Sequence, residues 1–314
     1  MKSVAIITSA YNEADCLPEL FRRIDEVFSH ELNYDYQVII ADNASTDETW
    51  EIISKAAEGN SKIHANRMSR NFSFDAALRS GLDNCNSDIA IIMTSDLQDP
   101  PEVIPKLLRQ YELGYEQVLV KITSRDSVPI VRRILSTIFY KLAHNITDGL
   151  LPDSISDFRL LSRKVYKTIS LLQENHSFLR GLGAWVGFKT TTVRISRPPR
   201  FAGESKFLKS SLISIVFASF RSLLAFSSKP LVWISILGFS LSIIFFISLI
   251  VLSIIWFTVG VPFAGFGSII GLIGLGFSLI LLCLGIISQY IGLIYEEVKK
   301  RPIYIISEDI NWDK

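Results

Sequence analysis

The chain predicts an α/β domain with a mostly parallel sheet, continued at its carboxyl side by a transmembrane helical hairpin. Two observations carry this expectation. Leu231 to Thr258 and Ser268 to Leu293 are apolar runs without a charged side chain. Each exceeds the ~20 residues an α-helix needs to cross the ~30 Å hydrocarbon core of a bilayer. Ahead of them, short apolar runs alternate with amphipathic stretches, the pattern of strand–helix units that cover both faces of a sheet. A soluble domain tethered by a hairpin points to a reaction at the membrane surface with one lipid-borne substrate.

Taken in order, Val4 to Thr8 reads as a strand, Leu17 to Phe28 as a helix, and Gln37 to Ala41 as a strand. A helix starts near Thr46 to Thr49 and runs to about Ala57, and Ile63 marks a short strand. Asp75 to Asn84 is helical, and Ile89 to Met93 is apolar at every position, so it reads as a strand buried on both faces. Glu102 to Leu113 is a helix closed by Gly114, and Gln117 to Ile122 is a strand. Ile130 to Asn145 is helical, Leu150 to Ser156 is a loop containing Pro152, and Val165 to Leu172 is helical again. Thr190 to Ile195 alternates like a strand. Phe207 to Phe226 is a basic amphipathic stretch, suited either to the membrane interface or to packing on the domain. The expected division is a catalytic domain over 1–200, a juxtamembrane segment over 201–229, two transmembrane helices over 230–295 and a tail over 296–314.

The formal net charge of +1 gives no case for nucleic-acid binding. The distribution of charge is more informative. Lys189, Arg194, Arg197, Arg200, Lys206, Lys209, Arg221 and Lys229 face only Glu204, a bias suited to an anionic lipid surface or to a solvated face. Cys16, Cys85 and Cys283 are widely spaced with no CxxC pair, which argues against a disulfide framework or a zinc site and fits a reducing compartment. Val4 to Ala10 is too short for a signal-peptide core and runs into Asn12, Glu13 and Asp15. Arg221 and Lys229 precede the first apolar run, and Lys299, Lys300 and Arg301 follow the second, while Gly260 to Gly267 has no Lys or Arg. The positive-inside rule then places the domain and both termini in the cytoplasm, as an integral protein of the plasma (inner) membrane.

Three polar clusters follow strands: Tyr11-Asn12-Glu13, Asp42 to Asp47, and Asp96-Leu97-Gln98-Asp99-Pro100-Pro101. In parallel sheets ligands bind outside the carboxyl ends of the strands, where these clusters fall. Carboxylates beside a nucleotide make sense if one hydrogen-bonds base or ribose and another holds Mg²⁺ or Mn²⁺, a hard cation that bridges to phosphate. A nucleotide-sugar donor meets these demands. Each cluster alone is equally compatible with ordinary turn chemistry.

Eight strings occur in order: Tyr11-Asn12-Glu13, DNASTDET at Asp42 to Thr49, SRNF at Ser69 to Phe72, DLQDPP at Asp96 to Pro101, SDFRLL at Ser156 to Leu161, FLRGLGAWVGF at Phe178 to Phe188, RFAGESK at Arg200 to Lys206, and YEEVKKRP at Tyr295 to Pro302. Together they make the chain similar to family-2 glycosyltransferases of the GT-A fold, in the polyprenyl-phosphate branch of dolichyl-phosphate mannose synthases and bactoprenol glucosyltransferases. The resemblance implies a GT-A nucleotide-sugar-binding domain with a mixed, mostly parallel sheet. It implies inverting transfer of a hexose, from a uridine rather than a guanosine diphosphate donor, to undecaprenyl phosphate for cell-surface glycan modification. It implies that Tyr11, Asn12, Glu13, Asp42 and Asn43 border the nucleoside, and that Asp96 and Gln98 face metal and diphosphate. Arg125, Arg132 and Ser136, with Arg200, Ser205 and Lys206, are implied to bind the acceptor phosphate, and Asp157 to be the catalytic carboxylate. A small flippase partner is implied by the bactoprenol relatives alone.

The chain departs from the family pattern at several positions around the donor. Thr94 stands where the first Asp of Asp-x-Asp is usual, Asp42-Asn43-Ala44 where Asp-Asp-Gly is usual, Ser9 where Pro is common, and Ser73-Phe74 where Gly-Lys is common. The competing readings are a processive polysaccharide synthase, which lacks support because Gln-x-x-Arg-Trp and further spans are absent, and a non-catalytic membrane scaffold, suggested by Thr94. Gly271, Gly274, Gly276 and Gly285 permit close helix packing, which raises a homo-oligomer as a hypothesis.

Overall fold

The computed structural model describes residues 1–123, 155–172, 174, 178–202, 229–259 and 266–312. The helix expected over Ile130 to Asn145, the loop at Leu150, the stretch Phe207 to Phe226 and most of the connection between the apolar runs lie outside them. The chain divides into two compact units, Met1–Ile215 with Arg301–Lys314, and Val216–Lys300.

In the first unit the order is β1 (Lys2–Ala10), α1 (Leu17–His30), β2 (Tyr34–Asp42), α2 (Thr49–Gly59), β3 (Ile63–Met68), α3 (Phe74–Asp83), β4 (Ile89–Ile92), a 3₁₀ turn (Pro101–Val103), α4 (Ile104–Glu112) and β5 (Gln117–Ile122). β6 (Ile155–Ser162), α5 (Arg163–Leu171), α6 (Leu179–Trp185), β7 (Thr190–Ile195) and, at the end of the chain, β8 (Ile306–Ile310) complete it. The sheet runs β7-β5-β6-β4-β1-β2-β3-β8. β1 pairs in parallel with β2 and β4, β2 with β3, and β5 with β7. β6 runs antiparallel to both β4 and β5, and β8 antiparallel to β3. The sheet is therefore mixed and mostly parallel.

Strand period 2 distributes the side chains over two faces. Val4 and Ile6 of β1, Val38 and Ile40 of β2, and Ile89 and Ile91 of β4 share one core with Leu17, Leu20 and Ile24 of α1, Ile53 of α2 and Leu107 of α4. The α1 residues recur at helical spacing, and each full burial of such a side chain is worth about 1.5–3 kcal/mol. On the opposite face α3 approaches β1 and β2 at Gly81, where a Cβ would lie 2.6 Å from Ile7 Cγ2 and 3.3 Å from Ile39 Cγ2. Ser73 caps α3 by accepting the Ala76 N–H at 3.0 Å, and Ser162 caps α5 by accepting from Val165 at 3.4 Å.

Four elements differ from the expectation, one of them the helix α6, whose segment the sequence offers only as a string. The strand at Ile63 extends to Met68, because it gains a partner on each side. The segment of β6 reads in sequence as the end of a loop and a polar string, because buried Arg159 hides its strand character. The tail contains β8, which completes the sheet edge.

The second unit holds α7 (Lys229–Val259) and α8 (Phe266–Val298). Each contains a segment long and apolar enough to cross a membrane, Lys229–Ser248 and Leu272–Val298, with mean hydropathies of 2.3 and 2.2. Most of their described large apolar side chains, such as Phe239, Ile244, Leu272 and Phe277, are exposed, as lipid-facing residues would be.

Gly81→Ala is expected to destabilise the protein by about 1–3 kcal/mol through overpacking, less the roughly 1 kcal/mol that Ala gains over Gly in a helix. Gly59→Ala meets nothing within 4 Å and should be neutral or stabilising. Thermal unfolding of the two variants checks the contrast.

Candidate active site

Parallel pairing brings the carboxyl ends of β1, β2 and β4 to one edge of the sheet, and the three polar clusters follow them there. Each loop contains a non-glycine residue in the left-handed region: Asn12 (φ 52°), Ala44 (φ 59°) and Leu97 (φ 61°). Asn tolerates this conformation, whereas Ala and Leu give up roughly 1–2 kcal/mol each. Surrounding hydrogen bonds hold them in place, a concentration of strain typical of binding and catalytic loops.

The first two loops are tied together. Asn12 N–H donates to Ser45 Oγ at 2.9 Å, Asn12 Oδ1 accepts from Thr46 N–H at 2.8 Å, and Glu13 N–H donates to Thr49 Oγ1 at 2.8 Å. Asn43 Oδ1 accepts the Phe72 N–H at 2.9 Å and its amide reaches Asn71, which brings the SRNF string to the same place. Asp42 is fully buried. It accepts hydrogen bonds from the Ser45 backbone and hydroxyl, and Arg67 Nε lies 3.4 Å from its Oδ2. Desolvation nevertheless raises its pKa above the ordinary carboxylate value.

The third loop is organised by Asp99, which is fully buried with its pKa raised by desolvation. Asp99 accepts from Thr94 N–H (3.2 Å), Ser156 Oγ (3.3 Å) and Arg197 Nη2 (3.2 Å). The Thr94 hydroxyl lies 2.7 Å from Asp96 Oδ1 and 3.0 Å from Asp99 Oδ2, so its single proton serves two carboxylates. An Asp at this position would add a third negative charge instead. Gln98 N–H also donates to Asp96 Oδ1 at 3.2 Å. Arg200 Nη2 donates to both Glu13 oxygens, at 2.6 and 2.5 Å, while its Nη1 lies 3.8 Å from Asp96 Oδ2. Arg197 and Arg200 of the basic stretch thus turn to carboxylates at the site.

On β6, next to Ser156, Asp157 is held by a two-pronged ion pair with Arg180 of α6, Nε to Oδ1 at 2.6 Å and Nη2 to Oδ2 at 2.7 Å. Arg159 is 2% exposed and fills the space beneath, donating to Asp157 O, Ser156 O and Leu179 O. Burial lowers its pKa to about 10, so it stays charged at neutral pH. Asp75, in the first turn of α3, accepts the Leu179 N–H through a long 3.4 Å contact. Desolvation first, and the neighbouring Asp157 second, push its pKa up to about 7. Neither Asp75 nor Arg180 was singled out from the sequence. Arg180 lay within the FLRGLGAWVGF string, while Asp75 read only as the start of a helix.

The structure therefore brings Glu13, Asp96 and Arg200 together, and joins Asn12, Asp42 and Asn43 in one hydrogen-bonded cluster. Asp157 connects to the third loop through Ser156 and Asp99. Tyr11 and Gln98 are half-buried on the same loops. Arg125, Arg132, Ser136, Ser205 and Lys206 lie outside the described residues. Among the described residues no three His, Cys, Asp or Glu side chains gather to hold a metal ion. Asp96 Oδ2 has no hydrogen bond from a described residue. This donor set fits a hard divalent ion held by one protein carboxylate, with substrate phosphate and water as further ligands, rather than an all-protein cage.

The sequence profile of glycosyl transferase family 2 matches residues 5–170. An uncharacterized glycosyltransferase of Bacillus subtilis is 32% identical, covering 97% of this chain and 93% of the relative. The SfII prophage-derived bactoprenol glucosyl transferase of Shigella flexneri is 31% identical, covering 97% of each. Among solved structures, glucosyl-3-phosphoglycerate synthase from Mycobacterium tuberculosis in complex with phosphoglyceric acid is similar with a TM-score of 0.50 at 18% identity. The match covers 72% of this chain and 80% of that one, and shows the GT-A-like fold.

Because the pKa of Asp75 is raised on folding, its contribution to stability is full below about pH 4 and is lost as pH rises towards about 7. Asp75→Asn removes the titration, so its stability relative to wild type should rise across that interval and level off above it. Melting temperatures of the full chain in detergent at a series of pH values check this. Ala44→Gly relieves the left-handed strain and should be neutral or stabilising by up to about 1 kcal/mol, whereas Ala44→Val should destabilise.

Proposed function

The chain belongs to glycosyl transferase family 2, and on that premise we propose that it transfers a sugar from a nucleotide-sugar donor, UDP-hexose in preference to GDP-hexose, to polyprenyl phosphate. The observation that carries this reading is the near end-to-end similarity to bactoprenol glucosyl transferases, which includes both long apolar helices. We place the 1–200 domain, the 201–229 juxtamembrane segment and the 296–314 tail on the cytoplasmic side of the plasma membrane, with 230–295 spanning it. The support is the positive charge flanking the apolar runs.

In this reading Tyr11, Asn12, Glu13, Asp42 and Asn43 bind the nucleoside. Asp96, with Gln98 beside it, would hold Mg²⁺ or Mn²⁺ against the diphosphate. The ion would neutralise charge on the departing diphosphate. An acceptor phosphate oxygen attacks the anomeric carbon in line, the bond to the diphosphate breaks on the opposite side, and the configuration inverts. A phosphate monoester has a second pKa of about 6 and is largely dianionic at neutral pH, so no base has to remove a proton. Asp157, fixed by Arg180, is then suited to orient a ligand and balance positive charge that develops on the sugar ring. Arg200, with Arg125, Arg132, Ser136, Ser205 and Lys206, would receive the acceptor phosphate, for which the guanidinium fork is suited. The assembled loops offer nothing in favour of a non-catalytic scaffold. A homo-oligomer through the hairpin glycines and a small flippase partner are separate hypotheses, which crosslinking in native membranes tests.

Membranes containing the full chain should transfer label from one of a panel of UDP- and GDP-sugars to undecaprenyl phosphate. The activity should disappear on chelation and return with Mg²⁺ or Mn²⁺. Asp96→Ala and Asp157→Ala should each reduce kcat by roughly 10²–10³-fold, the scale of losing a group aimed at transition-state charge. Metal-independent transfer would remove the assigned role of Asp96. Absence of transfer from every donor by a folded protein would overturn the reading.

A further inference from the structure

The C-terminal strand begins beside the donor loops, because it runs antiparallel to β3 from Ile306 opposite Met68. In register, Ala10 of β1 faces Asp42 of β2, Asp42 faces Arg67 of β3, and Arg67 faces Glu308 of β8. Directly paired residues project to the same face, so a carboxylate, a guanidinium and a second carboxylate stand in one row across three strands. Distances bear this out: Arg67 Nε lies 3.4 Å from Asp42 Oδ2, and Arg67 Nη1 lies 3.4 Å from Glu308 Oε1. Arg67 Nη2 also donates to the Ser45 carbonyl at 3.3 Å, and so reaches the turn that carries Ala44. The guanidinium lies over the Trp50 ring at 5.7 Å, and Trp50 Nε1 donates to Glu308 Oε2 at 3.3 Å. Arg67 is thereby held from below by an aromatic face and from outside by Glu308.

The strand is securely seated. Asn311 Nδ2 donates to Ala57 O (2.7 Å) and Ile63 O (2.9 Å), and Trp312 Nε1 donates to Ala65 O (2.7 Å). Ser69 N–H donates to Ile305 O at 2.9 Å, and Ser307 Oγ donates to Arg67 O at 3.0 Å. Tyr304 packs against Ala41, Met68 and Ala77. Asp42 is buried, and a buried carboxylate depends on its cationic neighbour for charge compensation.

We propose that the C-terminal strand is part of the nucleotide-donor site, with Glu308 a positioning residue that acts through Arg67 on Asp42 and the Asp42–Ser45 turn. This rests on the reading of Asp42 as a nucleoside-binding residue. The Arg67–Glu308 pair is partly exposed to solvent, so its removal alters geometry by a modest amount and does not abolish the site.

The test uses the full chain in detergent or nanodiscs. Binding of UDP and GDP is measured by calorimetry, independently of transfer, beside KM and kcat for the donor identified. Glu308→Gln and Glu308→Ala are expected to weaken nucleoside diphosphate binding about 3–10-fold and to raise donor KM equally, with kcat within twofold and acceptor KM unchanged. Asp309→Asn removes a charge from the next position, whose strand partner is Asn66 instead of Arg67, and should leave nucleotide affinity unaltered. If Glu308 acts through Arg67, the double variant Arg67→Gln/Glu308→Gln binds no worse than Arg67→Gln alone. Unchanged nucleotide affinity in both Glu308 variants, with or without a drop in melting temperature, overturns the proposal. So does additivity in the double variant. Wild-type protein that binds neither nucleotide overturns the donor reading itself, and the proposal with it.

Discussion

Everything assembled at the site depends on parallel pairing at the centre of the sheet. β1 is hydrogen-bonded to β2 on one side and β4 on the other, all running in one direction. Their carboxyl ends must emerge along one edge, so three loops far apart in sequence are forced into contact. Buried strands with apolar side chains on both faces leave this register little room to slip. The polar strings then find one another: Asn12 with Thr46, Glu13 with Thr49, and Asn43 with Phe72.

A second level of order is the partition of charge. Glu13, Asp42, Asp99 and Asp157 are carboxylates of the site, and arginines from distant segments compensate them. Arg67 serves Asp42, Arg197 serves Asp99, Arg200 serves Glu13, and Arg180 serves Asp157. Truncating one partner of a buried pair leaves the other charge uncompensated, which costs more than the pair contributes. The exception is Asp75, which shares its surroundings with Asp157 and has a pKa near neutrality. Burial first, and the charge of Asp157 second, favour the protonated form of Asp75, against the opposing pull of Arg180 and Arg159.

Thr94 and Ala44 show how the chain accommodates its departures from the family pattern. The Thr94 hydroxyl bridges Asp96 and Asp99, so the loop closes on hydrogen bonds where a further carboxylate would need a cation. Ala44 takes a left-handed conformation that glycine would adopt without strain, and the Asn12–Ser45 and Arg67–Ser45 contacts hold it there.

The two long apolar helices were determined by sequence alone, because a charge-free run of that length has few other solutions in water or lipid. Strands β1, β2 and β4 and the loops after them were equally legible, since local apolar runs and turn-forming residues specify them. The resemblance also pointed to Asp96, Asp157 and Arg200. Only the tertiary structure decided their company. β6 carries buried Arg159 and Asp157, so its strand character rests on pairing with β4 and β5 rather than on its own pattern. β8 is short and polar and exists because β3 offers it an edge. The environments of Asp75 and Glu308 likewise come from neighbours about 100 and 240 residues away in sequence. Hydrophobic periodicity records what a segment prefers locally. Charge compensation and edge pairing depend on which segments meet, and that is decided by the folded sheet.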